Sequence, residues 1–241
     1  GIDQDCDGED LEWQIDKGGI NTIPTSCGLN PQGEASCSSA SSEEVEVESD
    51  GTFSLVAAGA STACGLDDQQ EVRCWGADTG GSITQIPEGQ FRQLASEENE
   101  FCVLGETGLI QCWGDDSSFV VTGDYLQFDM NENGYCALGP EGEIDCWSKS
   151  ADTNPPDVPE GDFVQVAVGL GHYCAINRDG GVQCWGNDHV GQVSDTPGDT
   201  GYVLLDAGDD YACALKTDGS IHCWGDDSYG YSDTPGGSFV H

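Results

Sequence analysis

Twelve of the thirteen cysteines fall into pairs with nine residues between the partners: Cys27/Cys37, Cys64/Cys74, Cys102/Cys112, Cys136/Cys146, Cys174/Cys184 and Cys213/Cys223. Paired thiols can hold a metal, cycle between redox states or close a disulfide. Zinc sites favour closer Cys-x2-4-Cys spacing with histidines nearby, and this chain has only four histidines. The redox motif Cys-x-x-Cys and the haem motif Cys-x-x-Cys-His are both absent. Six structural disulfides are therefore expected, with zinc as the alternative. A second candidate chemistry opens the chain, in "GIDQDCDGED". Asp3, Asp5 and Asp7 alternate, Gly8 permits a sharp turn, and Asp10 and Glu12 follow. Carboxylates so spaced suit a hard cation that takes several oxygen ligands, calcium before others. Gln14 stands where an EF-hand would place its bidentate glutamate, so the loop is not an EF-hand. Cys6, inside this loop, is left over once six pairs form, which predicts an intermolecular bond or a lost partner.

Groups suited to catalysis are few. The histidines are His172, His189, His222 and His241; His172 and His222 fall on expected inner or middle strands. No Gly-x-Ser-x-Gly elbow and no phosphate loop occurs. Neither haem nor nucleotide is expected as a cofactor. Pairs such as Asp115/Asp116 and Asp226/Asp227 imitate glycosidase carboxylates, but they recur in register after Trp-Gly, which turn chemistry explains.

The elements that position the cysteines repeat. First cysteines recur at intervals of 37, 38, 34, 38 and 39 residues. Phe53, Phe91, Tyr125, Phe163 and Tyr202 each precede a first cysteine by 11 positions. Trp75, Trp113, Trp147, Trp185 and Trp224 each follow a second cysteine. Within a unit, "FVQVAVG", "YCAIN" and "GVQCWG" are short apolar runs bounded by Gly and Asp, and "RDGG" turns between two of them. This pattern predicts antiparallel strands. A less regular fourth segment follows Trp-Gly, and no helical period is sustained. A four-stranded unit at this pitch predicts an all-β propeller of about six blades. Opposed residues of antiparallel strands lie roughly 4.5–5.5 Å apart, within disulfide reach, so each cysteine pair is expected to staple its own blade.

Composition bounds the setting. The chain has 241 residues, 45 acidic and 6 basic, for a formal net charge of -39. Such repulsion opposes compaction. The acidity excludes a phosphate-binding footprint, and with it nucleic acid, and it disfavours anionic membranes. No apolar run reaches a membrane span. Thirteen cysteines point to an oxidising exterior. The chain begins at Gly1 without an initiator methionine and is read as a mature or excised segment of an exported protein. Residues 38–51, "SSASSEEVEVESDG", are rich in serine and glutamate; "VEVES" alternates as an outer strand would.

"FVQVAVGLGHYCAINRDGGVQCWGNDHVGQ" resembles the repeats of the regulator of chromosome condensation family. The shared features are the aromatic-x-x-Val opening, the Gly-His-x-Cys-Ala strand, the Asp-Gly turn and the Cys-Trp-Gly-x-Asn-x-x-Gly-Gln exit. Residues 161–192 match best and 201–229 next; residues 51–150 keep the skeleton without the Gly-His and Gly-Gln elements. The resemblance implies a β-propeller, and the nearer likeness is to cysteine-rich secreted bacterial members. The namesake nucleotide-exchange activity does not carry over to an acidic chain without a matching loop. The opening loop is similar to the Gly-Ile-Asp-x-Asp-Cys-Asp-Gly metal-binding motif of secreted bacterial proteins, which usually carries another cysteine upstream.

These readings divide the chain into a calcium-binding motif at 1–20 and a propeller at 21–241. The first unit lacks the tryptophan and the Phe-x-x-Val opening, while "GGSFVH" at the C-terminus puts Phe239 in the aromatic slot of a further unit. That strand completes the first blade, or precedes a missing seventh, or is donated to another copy. The leading expectation is a secreted bacterial, non-enzymatic structural or protein-binding module, able to assemble into a fibre or surface layer. Its partner would be an extracellular protein or copies of itself. An inhibitor of an extracellular enzyme and a carboxylate-based hydrolase or lyase are the alternatives.

Overall fold

Runs of four to seven residues rich in Val, Leu and aromatics, broken by Gly and Asp, favour short strands joined by tight turns. A computed structural model describes residues 25–39, 44–45, 51–76, 81–114, 117–149 and 157–228, which form antiparallel strands and no helix. The chain divides into two compact units, Gly1–Asp124 and Tyr125–His241. The first unit holds three sheets: β1 (Thr25–Leu29), β2 (Ala35–Ser39) and β3 (Glu44–Val45); β4 (Phe53–Ala58), β5 (Thr62–Asp67) and β6 (Val72–Gly76); and β7 (Phe91–Glu97), β8 (Glu100–Gly105), β9 (Ile110–Gly114) and β10 (Ser117–Val121). The second unit also holds three: β11 (Gln127–Met130), β12 (Gly134–Leu138) and β13 (Ile144–Ser148); β14 (Phe163–Val168), β15 (His172–Asn177) and β16 (Val182–Gly186); and β17 (Tyr202–Ala207), β18 (Tyr211–Lys216) and β19 (Ile221–Gly225).

Each sheet carries its disulfide where the spacing placed it. The six bonds are Cys27–Cys37, Cys64–Cys74, Cys102–Cys112, Cys136–Cys146, Cys174–Cys184 and Cys213–Cys223. In every one, the two cysteines stand directly opposite one another on adjacent strands. Their Cα atoms lie 4.0–4.1 Å apart. An outer strand after the second cysteine strand is seen in the third sheet, as β10, and in the first, as β3; among the described residues only the third sheet has all four strands. After Trp-Gly in the second and fifth sheets, the exit segment folds into turns at 81–85 and 191–195 instead. In the fifth sheet Asp188 stabilises this by accepting the N–H groups of Val193 and Ser194. Of the "VEVES" stretch only Val45 is described; with Glu44 it forms β3, the outer strand of the first sheet. The first sheet has no described counterpart of the inner strands β4, β7, β11, β14 and β17. The proposed division at residue 20 and the C-terminal strand at Phe239 lie outside the described residues.

The inner strands do not alternate strictly. Phe163 pairs with Asn177 and Gln165 with Ile176, so Val164 is an extra residue in a β-bulge. The same shift occurs at Ser54, Arg92 and Val203. The bulge turns Phe163 to the same side as Val166 and Val168, which share one core, whereas Ala167 faces the next sheet. From the second sheet on, each thus has a tryptophan face and a cysteine face, and neighbours within a unit stack one on the other. In the first unit, Phe53, Val56 and Trp75 cover Cys27, Leu29 and Cys37. In the second unit, Phe163, Val166 and Trp185 cover Cys136, Leu138 and Ile144. Aromatic rings stack inside this layer, as with Tyr173 and Trp185 at 5.8 Å between centroids.

Within each unit, backbone geometry ties each sheet to the next. The turn between the two cysteine strands ends in a left-handed residue: Gly33, Gly108, Gly142, Gly180 and Gly219 in five sheets, and Gln70, at φ 64°, in the second. The carbonyls of Gly33, Gln70, Gly142 and Gly180 accept the N–H of Phe53, Phe91, Phe163 and Tyr202, which begin the following sheets. The bond needs only backbone, so a glycine at position 70 preserves it. The left-handed conformation costs a side-chain-bearing residue about 1–2 kcal/mol, and the added freedom of glycine in the unfolded chain offsets part of that gain. Gln70→Gly is expected to stabilise the oxidised protein by about 0.5–1 kcal/mol. Urea denaturation checks it; an unchanged or lowered midpoint would show that position 70 is not strained.

Candidate binding surface

The residues singled out for chemistry separate into groups. The twelve cysteines of the six pairs are consumed as staples, not as metal ligands. Cys112 is buried, while Cys74 and Cys146 pack at the margins of the cores between sheets. Asp3, Asp5, Asp7, Asp10, Glu12 and Cys6 lie outside the described residues. Among the described residues no group of three or more His, Cys, Asp or Glu is placed to hold a metal ion. His172 is fully buried on β15, and its ring packs so close to Gly169 that a Cβ there would come within 2.0 Å of it. His222 meets the Tyr202 hydroxyl at 2.7 Å. His189 lies beside Gln192 and Asp210. His241, Asp115 and Asp116 lie outside the described residues. Asp226 accepts the N–H and hydroxyl of Ser228, which is turn chemistry. Those bonds, hydroxyl first, hold its carboxyl below the usual carboxylate range.

A different feature stands out in the second unit. Inner strands β11, β14 and β17 lie side by side, joined through glutamine side chains. Gln127 donates to the Val166 carbonyl and accepts the Val166 N–H, both at 2.9 Å. Gln165 does the same to Leu205, at 2.8 and 2.9 Å. Each amide thus mimics a ladder step between strands that are too far apart for direct pairing. Asp129 adds a bond from the Val168 N–H at 2.7 Å.

Directly before Gln127, Gln165 and Leu204, an apolar side chain points outward. Leu126, Val164 and Val203 are 48, 45 and 44% exposed. Val164 and Val203 are the bulge residues, and bulges commonly re-aim a side chain out of the ladder. Leu126 reaches its place the same way, because its N–H bonds to the carbonyl of Leu138, already paired with Gln127. The corresponding residues of the first unit, Ser54 and Arg92, are polar.

The unit that carries these residues is acidic. Residues 125–228 hold 19 Asp and Glu against three Lys and Arg. Two of those cations are engaged beside the row. Arg178 grips Asp162 through two nitrogens at 2.7 and 2.8 Å, and its guanidinium holds that carboxyl below the usual range. Lys216 bonds to Asp199, which also accepts the Tyr202 hydroxyl. Lys216 and then Tyr202 lower the Asp199 carboxyl in the same way. Where the aromatic slot holds tyrosine, the residue before the second cysteine is its partner: Asp145 for Tyr125 and His222 for Tyr202. Burial, and then Asp145, push Tyr125 up to about 12, so it remains a donor.

Residues 53–81, 163–192 and 202–230 match the Regulator of chromosome condensation (RCC1) repeat. These three segments are RCC1-like repeats. The last two contain β14–β16 and β17–β19, the sheets that carry Val164 and Val203. Comparison with curated proteins finds no significant match. Solved structures share the fold. The CRINKLY WD40 ectodomain of the Arabidopsis thaliana receptor kinase ACR4 is similar with a TM-score of 0.69 and 22% identity, over 88% of this chain and 84% of that one. Human WBSCR16 gives 0.67 and 15%, over 90% and 77%. Yeast RCC1 (Prp20), solved bound to Kap60, gives 0.68 and 13%, over 88% and 69%. The chain is therefore an all-β protein of propeller fold, built of six blade-like sheets with one disulfide in each. Six disulfides point to an oxidising or extracellular compartment. No helix among the described residues is long and apolar enough to cross a membrane.

The pairing of cysteines and the aromatic slot are legible in the sequence. The exposed row is not, because "FVQVAV" conceals its bulge. The one available signal is the shared apolar residue directly after Tyr125, Phe163 and Tyr202.

Proposed function

We propose that this chain is a secreted, non-enzymatic bacterial module that recognises an extracellular protein through the second unit of its fold. The observation that carries this reading is the set of exposed apolar side chains Leu126, Val164 and Val203 at the starts of three linked inner strands, in a unit rich in carboxylates. Apolar contacts supply affinity while charge selects and steers the partner. The matching chemistry is a protein surface with apolar side chains flanked by Lys and Arg. Stapled sheets make a rigid support for such a row, which limits the ordering cost of binding. Yeast Prp20 in its complex with Kap60 supports the reading by analogy of fold alone. Calcium is proposed as the ligand of Asp3, Asp5, Asp7, Asp10 and Glu12, on the sequence pattern by itself. Assembly of copies into a fibre or surface layer is a further form of the same role.

The test uses the oxidised full chain as bait against extracellular proteins of its source, beside the double variant Val164→Asp/Val203→Asp. Both side chains are already half exposed, so the variant is expected to unfold at the same urea concentration. It is expected to lose at least about tenfold in affinity for whatever the native chain retains, and raised salt should weaken the native interaction. Equal retention by both proteins would remove this surface from the function.

A further inference from the structure

Eight asparagines occur in the chain, and only Asn133 precedes a glycine. An asparagine in that setting can modify itself. The backbone nitrogen of the next residue attacks the side-chain carbonyl carbon, and a glycine there has no Cβ to block the approach or restrict the rotation it needs. Asn133 is exposed, at the tip of the hairpin between β11 and β12.

Packing explains why glycine follows it. In the second, fifth and sixth sheets the same hairpin begins with glycine: the N–H groups of Gly59, Gly169 and Gly208 bond to the carbonyls of Thr62, His172 and Tyr211 at 2.8–2.9 Å. A Cβ at these glycines would come within 2.0–2.4 Å of a neighbouring atom. In the fourth sheet Asn131 makes that bond instead, to the Gly134 carbonyl at 3.0 Å. Side chain and glycine have exchanged places. A Cβ at Gly134 would lie 2.5 Å from the Trp147 carbonyl oxygen, so the glycine that makes Asn133 reactive is required by its surroundings.

The same exchange restrains the reaction. Asn131 is buried, and its Oδ1 accepts the N–H of Asn133 at 2.8 Å and that of Gly134 at 3.1 Å. Its Nδ2 donates to the Gly169 carbonyl of the fifth sheet. The carbonyl of Asn133 accepts the N–H of Lys149 at 3.0 Å and the hydroxyl of Ser148 at 3.1 Å. The attacking nitrogen is thus engaged as a donor, and its peptide plane is pinned at both edges. Ring closure requires that nitrogen to give up its proton and turn towards the Asn133 side chain, which breaks these bonds.

We propose that Asn133 is a self-modification site, deamidated through attack by the Gly134 nitrogen, and that Asn131 holds it in check while the fourth and fifth sheets are in place. The Gly134 N–H loses its proton to hydroxide, its nitrogen bonds to Asn133 Cγ, and the Cγ–Nδ2 bond breaks to release ammonia. Water then opens the cyclic imide at either carbonyl, leaving aspartate or isoaspartate at 133. No electrons are gained or lost. The product adds a carboxylate beside Glu132, and isoaspartate also lengthens the loop backbone by one carbon, which moves the peptide carbonyl away from Lys149 and Ser148. This inference does not rest on the recognition role.

The test follows Asn133 by peptide mass spectrometry during incubation at mildly alkaline pH, with aspartate and isoaspartate products separated. The oxidised full chain is expected to deamidate at least about tenfold more slowly than the reduced, alkylated chain, in which nothing restrains Gly134. Asn131→Gly matches the residue of the other sheets and removes the acceptor; it should speed the oxidised protein about two- to tenfold, the worth of one hydrogen bond. Amide exchange at Gly134 should rise by the same factor, with exchange at Cys136 and Ala137 unchanged. If exchange rises there too, the substitution has loosened the sheet, and Asn131→Ser gives the reading. Its hydroxyl can still accept the Gly134 N–H, so it should stay within about twofold of the native rate. Equal rates in the oxidised and reduced chains overturn the proposal, because the fold would then offer no restraint. So does an Asn133 that stays intact in the reduced chain, an Asn131→Gly rate equal to native, or an Asn131→Ser rate equal to that of Asn131→Gly.

Discussion

Complete reduction of the six disulfides is expected to unfold the chain at neutral pH and low salt. Each bond joins residues separated by 10 positions. Closing a loop of that size removes about 2.5 kcal/mol of chain entropy from the unfolded state. If six such contributions add, they reach on the order of 15 kcal/mol, as large as the whole net stability of a typical domain. The opposing term is unusually large here, because a formal net charge of -39 repels itself in any compact state. The loss should be seen by circular dichroism as disappearance of the sheet signal and of cooperative melting, after alkylation has verified twelve free thiols in the paired positions. High salt screens the repulsion, so the reduced chain should regain part of its structure in molar salt. Cooperative melting of the fully reduced chain at low salt would show instead that the apolar faces alone hold the fold.

Trp113→Ala is expected to be the most damaging single substitution outside the cysteines. Trp113 is 1% exposed, packs with Phe91, Leu94 and Val103 in the core between the second and third sheets, and lies 5.7 Å from the ring of Phe101. Its indole N–H also donates to the Ser82 carbonyl at 2.9 Å, fastening the exit turn of the preceding sheet. Removing the ring costs about 3–5 kcal/mol through lost burial and a cavity. Loss of the buried hydrogen bond adds about 0.5–1.5 kcal/mol. Trp113→Phe separates the two terms, since it fills most of the space and cannot donate; its expected cost is about 1–3 kcal/mol, from the lost bond and a smaller void. Urea denaturation of the two oxidised variants decides the matter. Equal losses would mean that the hydrogen bond, and not the packing, dominates. Trp224 makes the equivalent bond, to the Gln192 carbonyl at 3.0 Å, so the same series there should give the same order.

Several features were readable because they depend on local spacing. A turn closed by a left-handed residue brings two cysteines with nine residues between them into direct opposition, so Cys174 and Cys184 determine their own pairing. Cys74, Cys112 and Cys146 find Cys64, Cys102 and Cys136 by the same geometry. The slot aromatics were readable for a related reason: Phe163 and Tyr202 keep a constant distance from the first cysteine because strand and turn lengths repeat. The expected four strands were harder. The segment after Trp-Gly carries Asp, Gly and Pro, and side-chain bonds such as those of Asp188 divert it into a turn in the fifth sheet.

By itself, the sequence determined the repeat, the staples, the all-β class and the acidity, each set by residues close together in the chain or by composition. The tertiary structure alone decided which residues share a face. In "FVQVAV" strict alternation would put Phe163 with Gln165 and Ala167, yet the bulge at Val164 sets Phe163 beside Val166 and Val168. A one-residue slip exchanges the faces of a strand, and no local signal announces it. That slip sends Val164 outward, aims Gln165 at the backbone of the next strand and so creates the exposed row. The surface proposed to recognise a partner thus follows from a register shift that becomes visible only when neighbouring strands are in place.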